Sequence, residues 1–503
     1  MLKSDTSVDP QTHALMGRFF CEQCDTVRRL QKAFNDLERS GKSRLADPAR
    51  MAGLLAIPGA DVWPYEGISG LIPPGQVSYK SAIAMANPIK GSSNMSRQQL
   101  IDITRREVEN FQDNRIDLMP DVMKVPTADY YDQERWELEV ERIFKRVPLA
   151  LAFSCEFPEV GDFRTMEVAG VPVLIARDER GDIGAFVNMC SHRGNYVADE
   201  ASGNKNSFRC NYHAWNFGLN GDLISVFDED NFGDVDKSCN GLTRLPTAER
   251  AGIVWVTLNP KSTLDVDLFL SGYGEMLEYL AFDETHLAGR QELEGPNWKV
   301  AYDGYRDFYH VPILHRPSFG PDGSHQPDYY AWGPHVRVTA PQNYAEQANK
   351  TEDEWDIADL TPGVWTIFPN VSIAGGRRGR GGGQGSYMFS QMFPGAKPGE
   401  SLTTQNFLAF GAPDEVDEQG IKDYMSLMVD VVEGEDYFTG FRVQKALKTG
   451  AKQFSMFGRN EGGGQLFHKW VDTLIATEDE DLPALFENIP AELALPRQPK
   501  SAG

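Results

Sequence analysis

The stretch CSHRGNYVADEASGNKNSFRCNYHAW, residues 190–215, pairs a thiol with an imidazole twice. One residue separates Cys190 from His192, and two separate Cys210 from His213. The whole chain has six cysteines and nine histidines, so four of them in one segment ask for a reason. The flanking text is β-like. VAGVPVLIARDERGDIGAFVNMC reads as strand, turn, strand, with Asp178-Glu179-Arg180-Gly181 at the turn. WNFGLNGDLIS turns again at Asn220-Gly221. AGIVWVTLNP (251–260) adds a buried strand. Each Cys/His pair therefore sits beside a hairpin, in a β-rich region of roughly 120–260.

Three arrangements fit two such pairs. A structural zinc site can use two Cys and two His, but its usual spacing keeps like with like, and here each pair is mixed. A Cys190–Cys210 disulfide leaves both histidines without a role. A Rieske [2Fe–2S] centre uses two Cys on one iron and two His on the other, and mixed pairs on two loops suit it because each loop gives one ligand to each iron. Trp215 would exclude water there, and Arg193 would place positive charge beside an anionic cluster.

A second constellation lies downstream in NWKVAYDGYRDFYHVPILH (297–315), which reads as helical. Asp307, His310 and His315 form Asp-x-x-His-x4-His. On a regular helix His310 and His315 would point about 140° apart. Pro312 lies between them, and a proline there kinks or breaks the turn, so a kink or π-bulge is expected to bring His315 round. Two His and one distant carboxylate make the facial triad of non-haem Fe(II) oxygenases; two interior histidines on a kinked core helix are the bland alternative. A later helical segment, DEQGIKDYMSLMVDVVEGEDYFTGFRVQKALKTG (417–450), offers Glu433, Glu435 and Asp436, of which Asp436 is the expected third ligand.

Composition bounds the partners. With 503 residues the chain exceeds one core and divides into two or three domains. Lys plus Arg number 49 and Asp plus Glu 73, a net charge of −24. That disfavours nucleic acid and anionic membrane surfaces. The N-terminus shows no signal-like apolar run and no stretch is long enough to span a bilayer, so a cytoplasmic protein with free or metal-bound thiols is expected. No Gly-rich loop has the spacing and context of a dinucleotide site; GGRRGRGGGQG (375–385) reads as a basic surface loop.

CSHRGN, CNYHAW, NWK…YRDFYHVPILH and the EDYF…Q…L helix occur in that order over roughly 120–475. In this the chain resembles the large (α) subunit of Rieske non-haem iron ring-hydroxylating oxygenases. The resemblance implies an α+β protein: a β-rich Rieske domain (121–285), a helix-grip (START/Bet v1-like) catalytic domain with an antiparallel sheet (286–490), a mostly helical N-terminal extension (1–120) and a short tail (491–503). It implies that Cys190, His192, Cys210 and His213 hold the cluster, and that His310, His315 and Asp436 hold a mononuclear Fe(II). Asp307 would bridge His310 to the neighbouring subunit's cluster ligand His213, within a homotrimer with or without small β subunits (α3 or α3β3). A ferredoxin or NAD(P)H-dependent reductase would supply electrons, and O2 would mono- or dioxygenate an aromatic or similar apolar substrate. One departure is Tyr302-Asp303, where the family usually has Glu-Asn; another is the long N-terminal extension.

Rival readings are an oxidative O- or N-demethylase, a small electron-transfer protein and a zinc-stabilised interaction protein. Among weaker features, Cys21-x-x-Cys24 lies on an amphipathic segment without a second pair. His13, His286, His325, His335 and His468 read as structural or surface residues, with His468 the one to check against the site. Arg377, Arg378 and Arg380 would either attract a carboxylated substrate or form a solvated loop. Phe308, Trp365, Phe368 and Phe407 suit either an aromatic guest or a core. SRQQLIDITRREVENFQ (96–112) is expected to be a helix capped by Ser96.

Overall fold

The computed structural model describes residues 92–320, 324–378 and 384–496. The expectations for Cys21, Cys24, His13, Arg380 and the first 91 residues lie outside them.

The first half is a set of small antiparallel sheets. Five strands run in the order Arg244–Leu245, Ile183–Val187, Val171–Arg177, Asp162–Val168, Ser202–Asn204. The expected hairpin forms: Val173 pairs Val187, Arg177 pairs Ile183, and Gly181 takes the left-handed conformation that closes the turn. A three-stranded ribbon, Phe208–Arg209, Asn216–Phe217 and Leu223–Ser225, stands apart as its own sheet. A common core of Phe163, Leu174, Phe186, Phe208 and Phe217 joins the two. Leu149–Phe153 and Ile253–Val256, buried along their whole length, pair in a third sheet that belongs to the main core.

The second half is built on a seven-stranded antiparallel sheet. Its strands are β1 (Thr285–Gly295), β2 (Asp328–Trp332), β3 (His335–Thr339), β4 (Val364–Ile367), β5 (Val371–Arg378), β6 (Gln384–Pro394) and β7 (Ser401–Phe410). Their order is β1-β7-β6-β5-β4-β3-β2. The helices used below are α1 (Ser92–Asp113), α2 (Trp298–Tyr305), α3 (Glu418–Val431), α4 (Phe438–Leu447) and α5 (Gly462–Ala476). A π-turn, Val432–Tyr437, joins α3 to α4. Leu293, Phe407, Met388, Met428 and Val432 form the core between the sheet and α3. The mixed helix and antiparallel sheet agrees with the expected fold class. Among the described residues no helix is long and apolar enough to cross a membrane.

Two local expectations are corrected. α1 starts at Ser92, so Ser96 lies inside the helix, where its hydroxyl meets that of Tyr279 at 3.1 Å. The segment 297–315 is not one kinked helix. α2 ends at Tyr305, residues 306–310 leave helical geometry, and Val311–Leu314 forms a separate turn. Pro312 stands in the first turn of that new helix, where its missing N–H costs nothing. The break precedes the proline, and the π-bulge lies elsewhere, in the segment carrying Asp436.

Candidate metal centres

The two Cys/His loops share one backbone design. Cys190 N donates to Asn195 O (2.8 Å) while Gly194 N donates to Cys190 O (2.9 Å). Cys210 N donates to Trp215 O (2.9 Å) while Ala214 N donates to Cys210 O (3.0 Å). Both loops turn through a left-handed residue four positions after the cysteine, Gly194 (φ +82°) and Ala214 (φ +57°). Loops so matched present their thiols and imidazoles as pairs. Both cysteines are buried and unbridged. The imidazole rings of His192 and His213 lie 4.6 Å apart, and His192 stacks on Trp215 at 4.9 Å. Burial raises the Cys210 thiol's pKa, but N–H groups of Tyr212, the Asn195 amide and His213 more than offset it and leave the pKa below its ordinary value. Thiols inside and imidazoles outside is the donor set a histidine-ligated two-iron cluster needs. Arg193 rests on the Tyr212 ring at 5.3 Å, so its charge stays beside the site.

At the second centre three donor atoms converge. His310 Nε2 lies 3.1 Å from His315 Nε2, and Asp436 Oδ1 lies 3.2 Å from His315 Nε2 and 3.7 Å from His310 Nε2. Among the described residues this is the one group of three or more His, Cys, Asp or Glu donors close enough to share an ion. Ligands at adjacent corners of an octahedron, each about 2.1 Å from a metal, sit about 3 Å apart. The three donors are spaced as His310, His315 and Asp436 would need to be to hold one ion between them.

Each imidazole is backed by a carboxylate. Asp307 Oδ2 meets His310 Nδ1 at 3.0 Å, and its other oxygen accepts from the Tyr309 backbone N–H. Glu435 Oε2 meets His315 Nδ1 at 2.6 Å, and Ser318 Oγ donates to Glu435 Oε1 at 2.8 Å. Such partners fix ring orientation and leave Nε2 free for a metal. Burial lowers the pKa of His315, but Asp436 and Glu435 together raise it above its ordinary value. The sequence reading offered Glu435 as an alternative ligand; the structure brings it to the far edge of His315 instead. Two consecutive carboxylates, Glu435-Asp436, were the available signal; nothing in the sequence singled out Ser318.

Asp303 is turned to a different cluster. Its Oδ2 accepts from Tyr130 Oη at 2.9 Å and its Oδ1 meets His468 Nε2 at 3.1 Å. His468 is therefore a buried structural partner of Asp303 and Tyr130, the structural of the two readings left open for it. His335 is buried in the core, with burial pushing its pKa down to about 3. Arg377 pairs with Glu284, and Arg378 with Asp356 and Asp359, so neither guanidinium is free for a substrate carboxylate. Trp365 and Phe368 belong to the main core, and Phe407 faces α3.

Comparison with known proteins agrees with this architecture. The model of the Rieske [2Fe-2S] domain matches residues 148–236, and that of the ring hydroxylating alpha subunit (catalytic domain) matches residues 282–477. The carnitine monooxygenase oxygenase subunit of Escherichia coli strain K12 is 31% identical over 337 residues, which span 65% of this chain and 84% of that one. The chain belongs to the Rieske-type ring-hydroxylating oxygenase α subunits. The large subunit of anthranilate 1,2-dioxygenase from Acinetobacter baylyi is 32% identical over 219 residues, 42% of this chain and 46% of that protein, so the chain spans less than half of that relative's length. Among solved structures, a quaternary ammonium Rieske monooxygenase shares the fold with a TM-score of 0.58 at 23% identity, covering 71% of this chain and 96% of that one. Naphthalene 1,2-dioxygenase from Rhodococcus does so with a TM-score of 0.58 at 21% identity, covering 76% and 99%. This Rieske oxygenase is an oxidoreductase whose cofactors are one [2Fe–2S] cluster and one mononuclear Fe(II).

Proposed function

We propose that this chain is a terminal oxygenase component, in which Cys190, His192, Cys210 and His213 hold the cluster and His310, His315 and Asp436 hold the iron. The observation that carries the reading is the convergence of two Nε2 atoms and one carboxylate oxygen, with both outer imidazole nitrogens taken by carboxylates. When bound, the two metal groups supply electron storage and activation of O2 for insertion into an organic substrate. The chain's own part is alignment. Asp307 holds His310 in one orientation, and Glu435, itself held by Ser318, does the same for His315. Electrons come from an external reductase or ferredoxin.

A ring of three protomers is part of the proposal. Two exposed apolar patches support it. Tyr196, Tyr212 and Phe232 surround the cluster loops, while Tyr309 and Ile313, the latter 81% exposed, flank His310. The patches belong to different segments of the chain, so pairing one with the other is heterologous, the kind of contact that forms a ring when its rotation closes. Asp307 would then carry the electron between one protomer's His213 and the next one's His310.

Metal analysis and spin resonance of anaerobically purified protein test the reading. Three irons and two acid-labile sulfides per chain are expected, with a reduced-cluster spectrum typical of histidine ligation. Cys190→Ser should remove that spectrum and leave His310-dependent iron. A zinc-loaded protein without acid-labile sulfide refutes it.

A further inference from the structure

A cavity of about 400 Å³ lies in the catalytic half, and its lining includes none of Asp307, His310, His315 or Asp436. Four segments meet there: the stretch that follows α1, strand β2, the start of α5, and residues 489–496. A space of that size falls at the lower end for small-molecule pockets. Its body is apolar. Leu118, Met119, Ile489, Leu493 and the rings of Tyr329 and Tyr330 form the walls. Both phenol hydroxyls are engaged by residues that do not line the cavity. Tyr329 Oη donates to Asn460 O at 3.1 Å, and Tyr330 Oη donates to Glu107 Oε1 at 2.6 Å. The two tyrosines therefore offer ring faces to a guest.

Charge at the cavity is concentrated on one residue. Arg106, Asp117 and Arg459 are its three charged lining residues. Arg106 and Asp117 pair with each other, and the Arg106 guanidinium lies 5.7 Å from the centre of the Tyr330 ring, so those two charges cancel. Arg459 forms no ion pair with any described residue. Its position is still fixed. Arg459 Nε donates to Met119 O at 2.7 Å, and Met119 N donates to Arg459 O at 2.7 Å. Both terminal nitrogens of the guanidinium are left over, a planar fork that matches a carboxylate. Gly462, the first residue of the fifteen-residue α5, also lines the cavity, and no side chain caps that helix. The positive end of the helix adds to the same field. In a chain of net charge −24, an unmatched cation beside apolar walls selects an anion with an apolar body.

We propose that this cavity is a second small-molecule site, which takes an aromatic carboxylate with its ring among Tyr329, Tyr330 and Leu493 and its carboxylate on Arg459. Inorganic phosphate would leave the apolar walls unmatched, and a hydrocarbon would leave Arg459 unused. The residues that follow Pro496, RQPKSAG, carry two cations and no aromatic ring, so they match neither the walls nor the charge. The site does not depend on either metal. It is nevertheless built on the same turn of α5 as the segment leading to Asp307, because Gly463 O accepts from the Arg306 guanidinium at 3.1 and 3.0 Å.

Calorimetric titration of anaerobic holoenzyme with benzoate and with its neutral counterpart benzamide tests the proposal. Benzoate should bind at least about tenfold more tightly than benzamide. Arg459→Met should weaken benzoate by about tenfold or more and leave benzamide within about twofold. Ala331→Phe, which adds a ring to the lining from β2, should abolish binding of both. Arg459 is exposed and Ala331 half-buried, so both variants should keep the parent's far-ultraviolet dichroism. His310→Ala separates this cavity from the iron site: it should bind benzoate with the parent's affinity and the same dependence on Arg459. No benzoate binding, binding that disappears with His310, or Arg459→Met protein that binds benzoate as the parent does would each overturn the proposal.

Discussion

His315 is held at both edges, by Asp436 on Nε2 and Glu435 on Nδ1, and these two carboxylates are adjacent in sequence. Replacing Glu435 by Gln should keep the fold and the cluster but weaken Fe(II) binding by about 10–100-fold, read by titrating iron into apo-protein. Asp307→Ala should retain both metals while turnover falls by about 100-fold; normal turnover would refute the bridging role. A different residue sets pH behaviour. Burial, with Asp328 close by, pushes the Glu107 carboxyl up to about 8, while Tyr330 Oη donates to its Oε1 at 2.6 Å. The folded state therefore keeps a proton that the unfolded chain releases at an ordinary carboxylate pKa near 4.5. Its contribution to stability is complete below that value and is lost as pH rises to about 8. Denaturant midpoints should fall across that window, and Glu107→Gln should flatten the slope.

At the scale of elements, the end of α2 sets where the candidate metal-site segment begins. Lys299 in its first turn forms a fully buried ion pair with Glu139, which also accepts from Trp298 Nε1 at 2.9 Å. Burial presses the Lys299 pKa down, and Glu139 pulls against it. Lys299→Met takes one of two cations from the buried Glu139, leaving Arg135 Nε at 3.0 Å, at a cost of about 1.5–3 kcal/mol in unfolding experiments. The double change with Glu139→Leu should recover most of that loss. NWK was legible as a family signature, but its ion pair was not, because Glu139 lies 160 positions away. The hairpins at Asp178–Gly181 and Asn220-Gly221 were legible since turn chemistry is local. The helix break before His310 was not: Arg306 has ordinary helix propensity, and what stops α2 there is tertiary, with the Arg306 guanidinium bound to Gly463 O in α5 and stacked against Phe467. The candidate metal-site residues His310 and His315 were legible from residue type and spacing; Ser318, which donates to Glu435, was not, since the two lie 117 positions apart.

For the whole molecule, the placement of apolar surface matters more than its amount. A chain with net charge −24 repels its copies at long range, so any assembly has to be held by short-range contacts. The aromatic rim of the cluster loops and the Tyr309–Ile313 rim of the iron site are such surfaces, and they lie on separate parts of the chain. If electrons pass only between protomers, two inactive variants can complement each other. Cys190→Ser protomers keep the iron site, and His310→Ala protomers keep the cluster. Neither variant alone should turn over. Dissociated, mixed in equal amounts and reassembled at random into rings, they place a working cluster beside a working iron at about one junction in four. The mixture should therefore reach about one quarter of the parent rate per chain. Turnover that stays at zero in mixed rings, with both metals present at half occupancy, would mean that each chain must use its own cluster, and the head-to-tail arrangement would fail with it.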